Sequence, residues 1–273
     1  FALIALVVLP LLPDTPFGPF DAWRPRNLWL VVVLVSGFSF AGYLAAKWLG
    51  PAKGLLAMAA TGALVSSTAV TAAVAGRHRA GEDDTDLLNA AVALASAVMF
   101  VRVMLLTGAL AGFALPTLAL AAVPGMAVSL VAALWLRRRA GSGGTGTGTE
   151  VGVSNPFALR PALLMMVMVM AFTLAARWVL ARYGDRGLAA VLAITGTLDV
   201  DSAIITMGSL PRGTIDPRTA GLVLVPPVVL NSLFKAGVLV TAAGWRRTWP
   251  GAAVLLASVV ATGIGTAVAI TAG

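Results

Sequence analysis

Apolar segments of about 20 residues recur along the whole length of this chain, and they constrain its fold more than any other feature. Of the 273 residues, 59% are hydrophobic and only 11% are charged, whereas a soluble domain has roughly 25% charged residues. A bilayer offers no water to unpaired backbone groups, so only helices or closed barrels span it. The apolar runs are continuous, which favours helices over a barrel. The sequence therefore predicts an all-α, polytopic transmembrane helix bundle.

The apolar segments predict about nine helices. The first run, residues 1–13, is too short to span a bilayer, and we expect it to belong to a helix that begins upstream. The other predicted helices cover 28–49, 55–75, two spans within 87–136, 161–180, 187–210, 219–243 and 250–271. The Gly/Thr-rich stretch 137–158 predicts a flexible linker between a first transmembrane half, 1–136, and a second, 159–273.

The two halves resemble each other weakly at an offset of 134 residues. The segment "TGALVSSTA" from Thr61 aligns with "TGTLDVDSA" from Thr195, and Gly50 aligns with Gly184. This similarity predicts two repeats, one of about 28–136 and one in the second half, with a site at the midplane between them as in many transporters. Four predicted helices separate equivalent positions, and this even number predicts parallel repeats. One or three crossings late in the first half would make them inverted.

Residue types that are missing from the chain exclude several functions. There is no cysteine, so disulfides and thiolate metal sites are excluded, and the single histidine, His78, excludes an imidazole cluster for zinc within one chain. No nucleophile pair, phosphate-binding loop or HExxH motif is present, so we expect neither an enzyme nor a bound cofactor. The net charge of +8 comes from basic residues near helix ends, which is typical of topology signals and not of nucleic-acid binding.

The basic residues predict the orientation of the chain in the membrane. Assigning the loops alternately to two sides gives ten basic residues on one side and six on the other. The ten are Arg24, Arg26, Arg77, Arg79, Arg137, Arg138, Arg139, Arg160, Arg212 and Arg218; the six are Lys47, Lys53, Arg182, Arg186, Arg246 and Arg247. The excess predicts that the linker and the C-terminus are both cytoplasmic.

Four charged residues fall at mid-membrane depth, where each costs about 2.5 to 3.5 kcal/mol on insertion scales. They are Arg102, Asp199, Asp201 and Lys235. In a regular helix Asp199 and Asp201 point about 200° apart, so they share one ion only if the helix is interrupted there. The surrounding "ITGTLDVDS" contains Gly, Thr and Ser residues that tolerate such a break. An unwound turn would bring both carboxylates and the Ser202 hydroxyl to one cavity.

The predicted site is a cation site built from hard oxygen ligands, which suit Mg²⁺, Ca²⁺ or Mn²⁺. The predicted ligands are, in order, Asp201, Asp199, Ser202, Asn231 and Ser67. Arg102 and Lys235 are predicted charge partners, and the candidate pore-lining residues are Ser66, Thr68, Thr195 and Thr197. Two structural alternatives stay open. The aspartates pair with Lys235 or Arg102 without meeting a substrate, or the hydroxyl residues only pack helices together.

The chain resembles a known group of membrane proteins in three stretches, "LVSGFSFAGYLAAKWLG", "GLLAMAATGALVSSTAVTAAVAGRHR" and "AITGTLDVDSAIITMGSL". Over nearly its whole length it is similar to the uncharacterised C-terminal membrane domain of MgtC/SapB-type bacterial membrane proteins. The resemblance implies a multi-pass protein of the bacterial inner membrane that is linked to magnesium or other divalent cations. It also implies an MgtC-like domain, absent from this chain, as a partner.

Together these observations predict a channel or carrier that moves cations, with divalent metal such as magnesium as the first candidate, through a midplane site between the repeats. Two other functions stay open: a regulatory or structural membrane protein that transports nothing, and a proton-coupled transporter of an anion or small solute. A homodimer is compatible with the small-residue motif "GALAG" at 108–112.

Overall fold

The computed structural model describes residues 2–49, 54–82, 84–140, 159–198, 200–210, 213 and 215–271. These residues form helices and turns, and the described part has an isolated bridge between Phe17 and Trp23 but no strand. The all-α prediction is therefore confirmed. The predicted linker 137–158 lies mostly outside the described residues, and the division of the chain at that linker stays a prediction.

Ten α-helices follow one another along the described chain. They are α1 (Leu9–Leu11), α2 (Pro25–Leu49), α3 (Gly54–Ala80), α4 (Thr85–Leu110), α5 (Leu115–Arg139), α6 (Leu159–Leu198), α7 (Val200–Gly208), α8 (Pro217–Val223), α9 (Val225–Ala243) and α10 (Trp245–Thr271). A π-helical turn, Leu3–Val8, precedes α1, and a 3-10 turn, Pro19–Asp21, precedes α2.

Aspartate caps explain where α4 and α8 begin. The Asp84 carboxylate accepts hydrogen bonds from the backbone N–H groups of Asp86 at 2.9 Å and Leu87 at 3.0 Å. The Asp216 carboxylate accepts one from the N–H group of Thr219 at 3.0 Å. Both carboxylates satisfy N–H groups that have no partner inside the helix, and both are favoured by the helix dipole.

Seven helical segments in the described part are long and apolar enough to cross a membrane. They are Pro25–Ala45, Gly54–Ala80, Thr85–Leu110, Leu115–Arg139, Met166–Gly184, Pro217–Ala243 and Trp245–Thr271. The chain is therefore a multi-pass membrane protein. The other two predicted helices correspond to shorter pieces: α1 with the turn before it, and the end of α6 together with α7.

The described helices pack into two compact units that interleave along the sequence. Unit 1 contains Phe1–Phe40, Val103–Ala119 and Asn155–Asn231, and unit 2 contains Ala41–Arg102, Leu120–Ser154 and Ser232–Gly273. The core of unit 2 is an apolar cluster from four helices that includes Ala63, Val70, Ala91, Leu239 and Leu255. In unit 1, side chains of α2, α6 and α7 form a core with Leu28, Val31, Val169 and Ile205.

The helix α3 folds back on itself at Ser66. This residue has extended backbone angles, φ −157° and ψ 107°, between two helical arms, 54–65 and 67–80. Gly62 lies so close to Val70 that a Cβ on Gly62 would be 2.8 Å from the Val70 Cγ2. Residues eight apart in a straight helix are separated by about 12 Å along the axis. The contact therefore requires a reversal of the chain, and we call α3 the first hairpin.

The last part of α6, together with α7, also reverses direction. α6 changes direction at Gly184, which has φ 66°, so that Gly187 lies against Val179 of the earlier part of α6. The Arg177 guanidinium donates a hydrogen bond to the carbonyl of Ser209, just after α7, at 3.3 Å. Gly187 and Ser209 thus lie beside the same part of α6, and the chain between them reverses. We call residues 185–198 and α7 together the second hairpin.

Equivalent structural features of the two halves lie 134 residues apart. At this offset α4 corresponds to α8 with α9, and α5 corresponds to α10. Ser66, where the first hairpin reverses, corresponds to position 200, which lies within the second hairpin. The weak sequence repeat therefore has a structural counterpart in the order and the reversal of the helices.

The repeats are inverted, which corrects the prediction that they run parallel. The helices α5 and α10 are equivalent, and within unit 2 they pack closely. A Cβ on Gly125 of α5 would meet the Thr262 hydroxyl and the Ser258 carbonyl of α10, whereas Gly265 of α10 lies against the carbonyl of Leu120. Residues later in α5 thus face residues earlier in α10, so the two helices are antiparallel.

The error comes from counting α3 as one crossing. Its 27 residues are enough to span a bilayer by length and composition. Its two arms, 54–65 and 67–80, are only about 18 and 21 Å long at 1.5 Å per residue, each shorter than the roughly 30 Å hydrocarbon core. A segment that enters and returns adds no net crossing, so equivalent helices are separated by an odd number of crossings.

The predicted assignment of basic residues to two sides is also corrected. The Arg247 guanidinium donates a hydrogen bond to the carbonyl of His78 at 3.1 Å, so the start of α10 lies with the end of α3 and not opposite it. Arg139, at the end of α5, lies 3.7 Å from Asp86 in the first turn of α4. Because α5 and α10 are antiparallel, their last residues lie at opposite ends of the pair. Arg139 and Thr271 therefore lie at opposite ends of this helix pair, whereas the sides of the membrane on which the linker and the C-terminus lie stay a prediction.

Candidate ion-binding site

Asp201 is the one buried acidic side chain in the described part of the chain, with 5% of its surface exposed. It lies in the first turn of α7, within the part of the chain between Gly187 and Ser209 that reverses. The predicted interruption at Asp199 falls outside the described residues and stays a prediction. The N-terminal end of a helix carries a partial positive charge, which favours a carboxylate there. Ser202 follows it and is 1% exposed.

Two of the other predicted residues of unit 1 are described, one before Asp201 on α6 and one after it on α9. Thr195 is buried near the end of α6, where its hydroxyl donates a hydrogen bond to the carbonyl of Leu192 at 3.1 Å. Asn231 is buried on α9. Asp199 and the Thr197 side chain lie outside the described residues, so the prediction that Asp199 shares an ion with Asp201 stays a prediction.

The predicted hydroxyl residues of the first hairpin lie at its tip, in unit 2. The Ser66 hydroxyl accepts a hydrogen bond from the N–H group of Ala69 at 3.2 Å and so caps the second arm. Ser67 is buried, and its carbonyl accepts a hydrogen bond from the Thr71 hydroxyl at 2.9 Å. Thr68 is half-buried. The Ser66 hydroxyl therefore has a structural role as a helix cap.

Arg102 reaches the tip of the first hairpin from α4. One nitrogen of its guanidinium donates hydrogen bonds to the carbonyls of Leu64 at 3.0 Å and Val65 at 2.7 Å. These are the last carbonyls of the first arm, which have no N–H partner within that arm because the helix ends at Ser66. Two hydrogen bonds of Arg102 thus go to backbone oxygens, and its predicted pairing with a carboxylate stays a prediction.

Lys235 is the most deeply buried charged residue in the described part, with 1% of its surface exposed. It lies on α9 beside Ala236, one turn before Leu239, and both of these belong to the apolar core of unit 2. Its Nζ makes no hydrogen bond to any part of the chain that the structure describes. Placing an amine there without a partner is costly, so packing alone does not account for it.

Unit 1 contains a cavity of about 1080 Å³ that reaches α7. Its polar lining includes the Asp14 and Arg24 side chains, which lie 3.6 Å apart, and Asn27. Ile205 and Gly208 of α7 line its apolar part. Asp201 precedes Ile205 by four residues, so it lies on the same face of α7, about 6 Å further along the helix axis. The cavity therefore leads toward the face of α7 that carries Asp201.

Three residues near this cavity were not among the predicted site residues. Asp14 and Arg24 flank the Pro-rich segment before α2, and they form the ion pair of the cavity wall. Arg177 binds the carbonyl of Ser209, another residue of the wall, at 3.3 Å. The sequence did contain one feature that could have pointed to this site, a basic residue, Arg177, within an apolar segment. Its position near a predicted helix end suggested that its side chain simply reaches water.

A metal site made only of charged side chains is not present in the described part, where no three His, Asp or Glu side chains lie close enough to hold one ion. Hydroxyl, amide and carbonyl oxygens also bind hard cations. Next to Asp201 in the sequence, the buried Ser202 carries a hydroxyl oxygen of this kind.

Comparison with known proteins identifies a family and one distant relative. Residues 33–243 match the family described as "Domain of unknown function (DUF4010)". An "Uncharacterized protein" of Aquifex aeolicus (strain VF5) is 27% identical over 184 residues, which cover 67% of this chain and 80% of the relative. No solved structure matches the chain.

Proposed function

The chain belongs to the family of the DUF4010 domain, whose function is unknown, and from the geometry above we propose that it is a carrier that moves cations across a membrane. The observation that supports the proposal most strongly is the pair of inverted repeats, each with a hairpin in which the chain reverses direction. Inverted repeats with interrupted helices are a recurring architecture of secondary transporters.

The second hairpin is the proposed ion-binding element. Asp201 supplies a buried carboxylate on α7, and the cavity of unit 1 reaches Ile205, one turn away on the same face of α7. In this arrangement Ile205 separates the cavity from the carboxylate, and a small movement of α7 would join them. Alternating access of this kind requires a carrier and not an open channel.

The first candidate for the transported ion is a hard divalent cation such as Mg²⁺. A carboxylate with hydroxyl and carbonyl oxygens favours such ions, and Mg²⁺ keeps several of its waters when it binds. Sequence resemblance to the membrane domain of MgtC/SapB-type proteins motivates the same choice. It also motivates the bacterial inner membrane as the location and an MgtC-like domain as a partner.

A flux assay with purified protein in liposomes tests the proposal. The ions to compare are Mg²⁺, Mn²⁺, Zn²⁺, Na⁺ and H⁺, for wild type, Asp201→Asn and Asp86→Asn. Asp86 is the matched control, since it is also a carboxylate in the first turn of a helix but pairs with Arg139 outside the cavity. A charge-assisted contact is worth about 1.5 to 3 kcal/mol, so we expect Asp201→Asn to lower flux by roughly tenfold to a hundredfold. Equal flux of Asp201→Asn and wild type would show that Asp201 is not the ion ligand.

A structural role without transport is the second candidate, and the position of Asp201 in the first turn of α7 favours it. The helix dipole alone gives a carboxylate a reason to lie there. In that case Asp201→Asn would lower thermal stability, and no ion in the panel would cross the membrane faster than in empty liposomes.

A further inference from the structure

The cation bound at the tip of the first hairpin is a side chain of the protein itself, the guanidinium of Arg102. Arg102 is 9% exposed, and its guanidinium contacts two consecutive carbonyls, those of Leu64 and Val65, at 3.0 and 2.7 Å. Both distances are those of good hydrogen bonds, and the shorter one is typical of a charged donor. The guanidinium is therefore hydrogen-bonded to the tip of the first hairpin.

The carbonyl oxygens of Leu64 and Val65 give this tip a partial negative charge, and we call the two of them the carbonyl cup. The first arm ends at Ser66, where the extended backbone leaves the last carbonyls of the arm without helical N–H partners. The C-terminal end of a helix also carries a partial negative charge. Interrupted helices in transporters use such carbonyl ends to coordinate Na⁺ or protons. A cation is thus the ligand that the chemistry of this tip requires.

We propose that the tip of the first hairpin is a monovalent-cation site, formed by the carbonyls of Leu64 and Val65, that the protein fills permanently with the guanidinium of Arg102. This inference rests on the geometry of α3 and α4 and does not depend on the proposed transport. In the second repeat the residue equivalent to Arg102 is Ala236. The two repeats therefore differ, because only the first has an arginine at this position.

A chemical-rescue experiment tests this site. The variant Arg102→Gly removes the side chain and leaves the carbonyl cup, and guanidinium ion at millimolar concentration, far below denaturing levels, is then added to the purified full chain. The thermal midpoint Tm is measured for wild type, Arg102→Gly and Arg139→Gly. Arg139 is the matched control, because its guanidinium is more than half exposed and pairs with Asp86 at the surface. Urea serves as a neutral molecule of the same shape.

The expected result is selective and saturable. Arg102→Gly melts several degrees below wild type, and guanidinium raises its Tm toward the wild-type value with the concentration dependence of ligand binding. Urea does not raise it, and neither wild type nor Arg139→Gly responds to guanidinium. A guanidinium effect on Arg102→Gly that is no larger than the effect on Arg139→Gly, or an equal effect of urea, would overturn the proposal.

A second pair of variants decides the question if Arg102→Gly is not recovered in folded form. Arg102→Lys keeps the charge but loses the planar fork, and Arg102→Gln keeps an N–H₂ donor but loses the charge. A cation site predicts a higher Tm for Arg102→Lys than for Arg102→Gln. An equal or higher Tm for Arg102→Gln would show that the tip needs a hydrogen-bond donor and not a cation.

Discussion

The two hairpins of this protein occupy equivalent positions in an inverted repeat, yet they carry different chemistry. In the first hairpin, Ser66 caps the second arm and Arg102 binds the last carbonyls of the first arm. The second hairpin carries a buried carboxylate, Asp201, on α7, one turn from a residue that lines a cavity. Side chains of the protein bind the tip of the first hairpin, whereas the second hairpin is the one for which we propose ion binding.

The hairpins also differ in what holds them. Gly62 of the first hairpin packs on Val70 of the same hairpin. Gly196 of the second hairpin packs on Pro227 of α9, with both the ring and the backbone of the proline in contact range. The first hairpin thus has a contact between its own arms, in addition to its packing on α4, α9 and α10. In the second hairpin Gly196 instead contacts a neighbouring helix, whose movement would change the position of the hairpin.

Removing Arg102 should have the largest effect on stability. Arg102→Ala deletes two charge-assisted hydrogen bonds and leaves two partly buried carbonyls without this donor, so we expect a loss of about 3 kcal/mol in the free energy of unfolding. Unfolding in detergent, followed by tryptophan fluorescence, measures it. Arg139→Ala serves as the control and should cost less than about 1 kcal/mol, as for other surface ion pairs. Similar losses for the two variants would mean that Arg102 does not stabilise the tip of the first hairpin.

Adding one methyl group to each hairpin should destabilise the two hairpins to different extents, because the two glycines pack against different groups. A Cβ on Gly196 would meet the backbone and ring of Pro227, which cannot rotate away, so Gly196→Ala should cost about 2 kcal/mol. A Cβ on Gly62 would meet one methyl of Val70, which can turn, so Gly62→Ala should cost less than about 1 kcal/mol. The same unfolding assay measures both. A reversed order would contradict the account of how the second hairpin is held.

Replacing Lys235 should stabilise the protein, in contrast to replacing Arg102. Lys235 is fully buried, and its Nζ has no hydrogen-bond partner within the described residues, so Lys235→Met removes an unpaired polar group and keeps most of the volume. We expect the free energy of unfolding to rise by about 1 to 2 kcal/mol. Parallel flux measurements show whether this gain comes with a loss of transport. A fall in stability would show that the amine has a partner that holds it.

Removing the Ser66 cap should have the smallest effect of the four. Ser66→Ala deletes the hydroxyl that accepts the N–H group of Ala69, and helix caps of this kind contribute about 1 kcal/mol. The variant should keep the fold of the first hairpin because Gly62, Val70 and Arg102 still hold its arms together. Circular dichroism and the unfolding assay check both statements. Loss of helical content would indicate that the cap, and not the packing of the arms, directs the reversal.

The sequence predicted the helices, and it predicted an interruption near Asp201 but none in α3. Long apolar runs determine the spans, and the two aspartates with Gly196, Thr197 and Ser202 motivated the predicted interruption. The equivalent stretch of α3 also has a glycine, Gly62, but it has no charged residue, and the 27-residue α3 is long enough to cross. The reversal depends on a contact between Gly62 and Val70, which local sequence cannot reveal.

Two further errors follow from that missing reversal. Counting α3 as a crossing predicted parallel repeats and placed Arg247 opposite the end of α3, where in fact it binds the carbonyl of His78. The backbone contacts of Arg102 were not predicted, for another reason. A sequence shows which side chains are charged, but the carbonyls of Leu64 and Val65 become acceptors only when the helix between them and the second arm is broken.

The reversal of α3 is the central claim, and the side of the membrane on which its two ends lie tests it most directly. The chain has no cysteine, so Lys47→Cys, Arg79→Cys and Phe113→Cys can each be labelled alone with a membrane-impermeant thiol reagent in oriented vesicles. Phe113 follows the uninterrupted helix α4 and marks the side opposite Arg79. We expect positions 47 and 79 to label from one side and position 113 from the other. Labelling of 47 and 79 from opposite sides would mean that α3 crosses the membrane, and would contradict the inverted repeat.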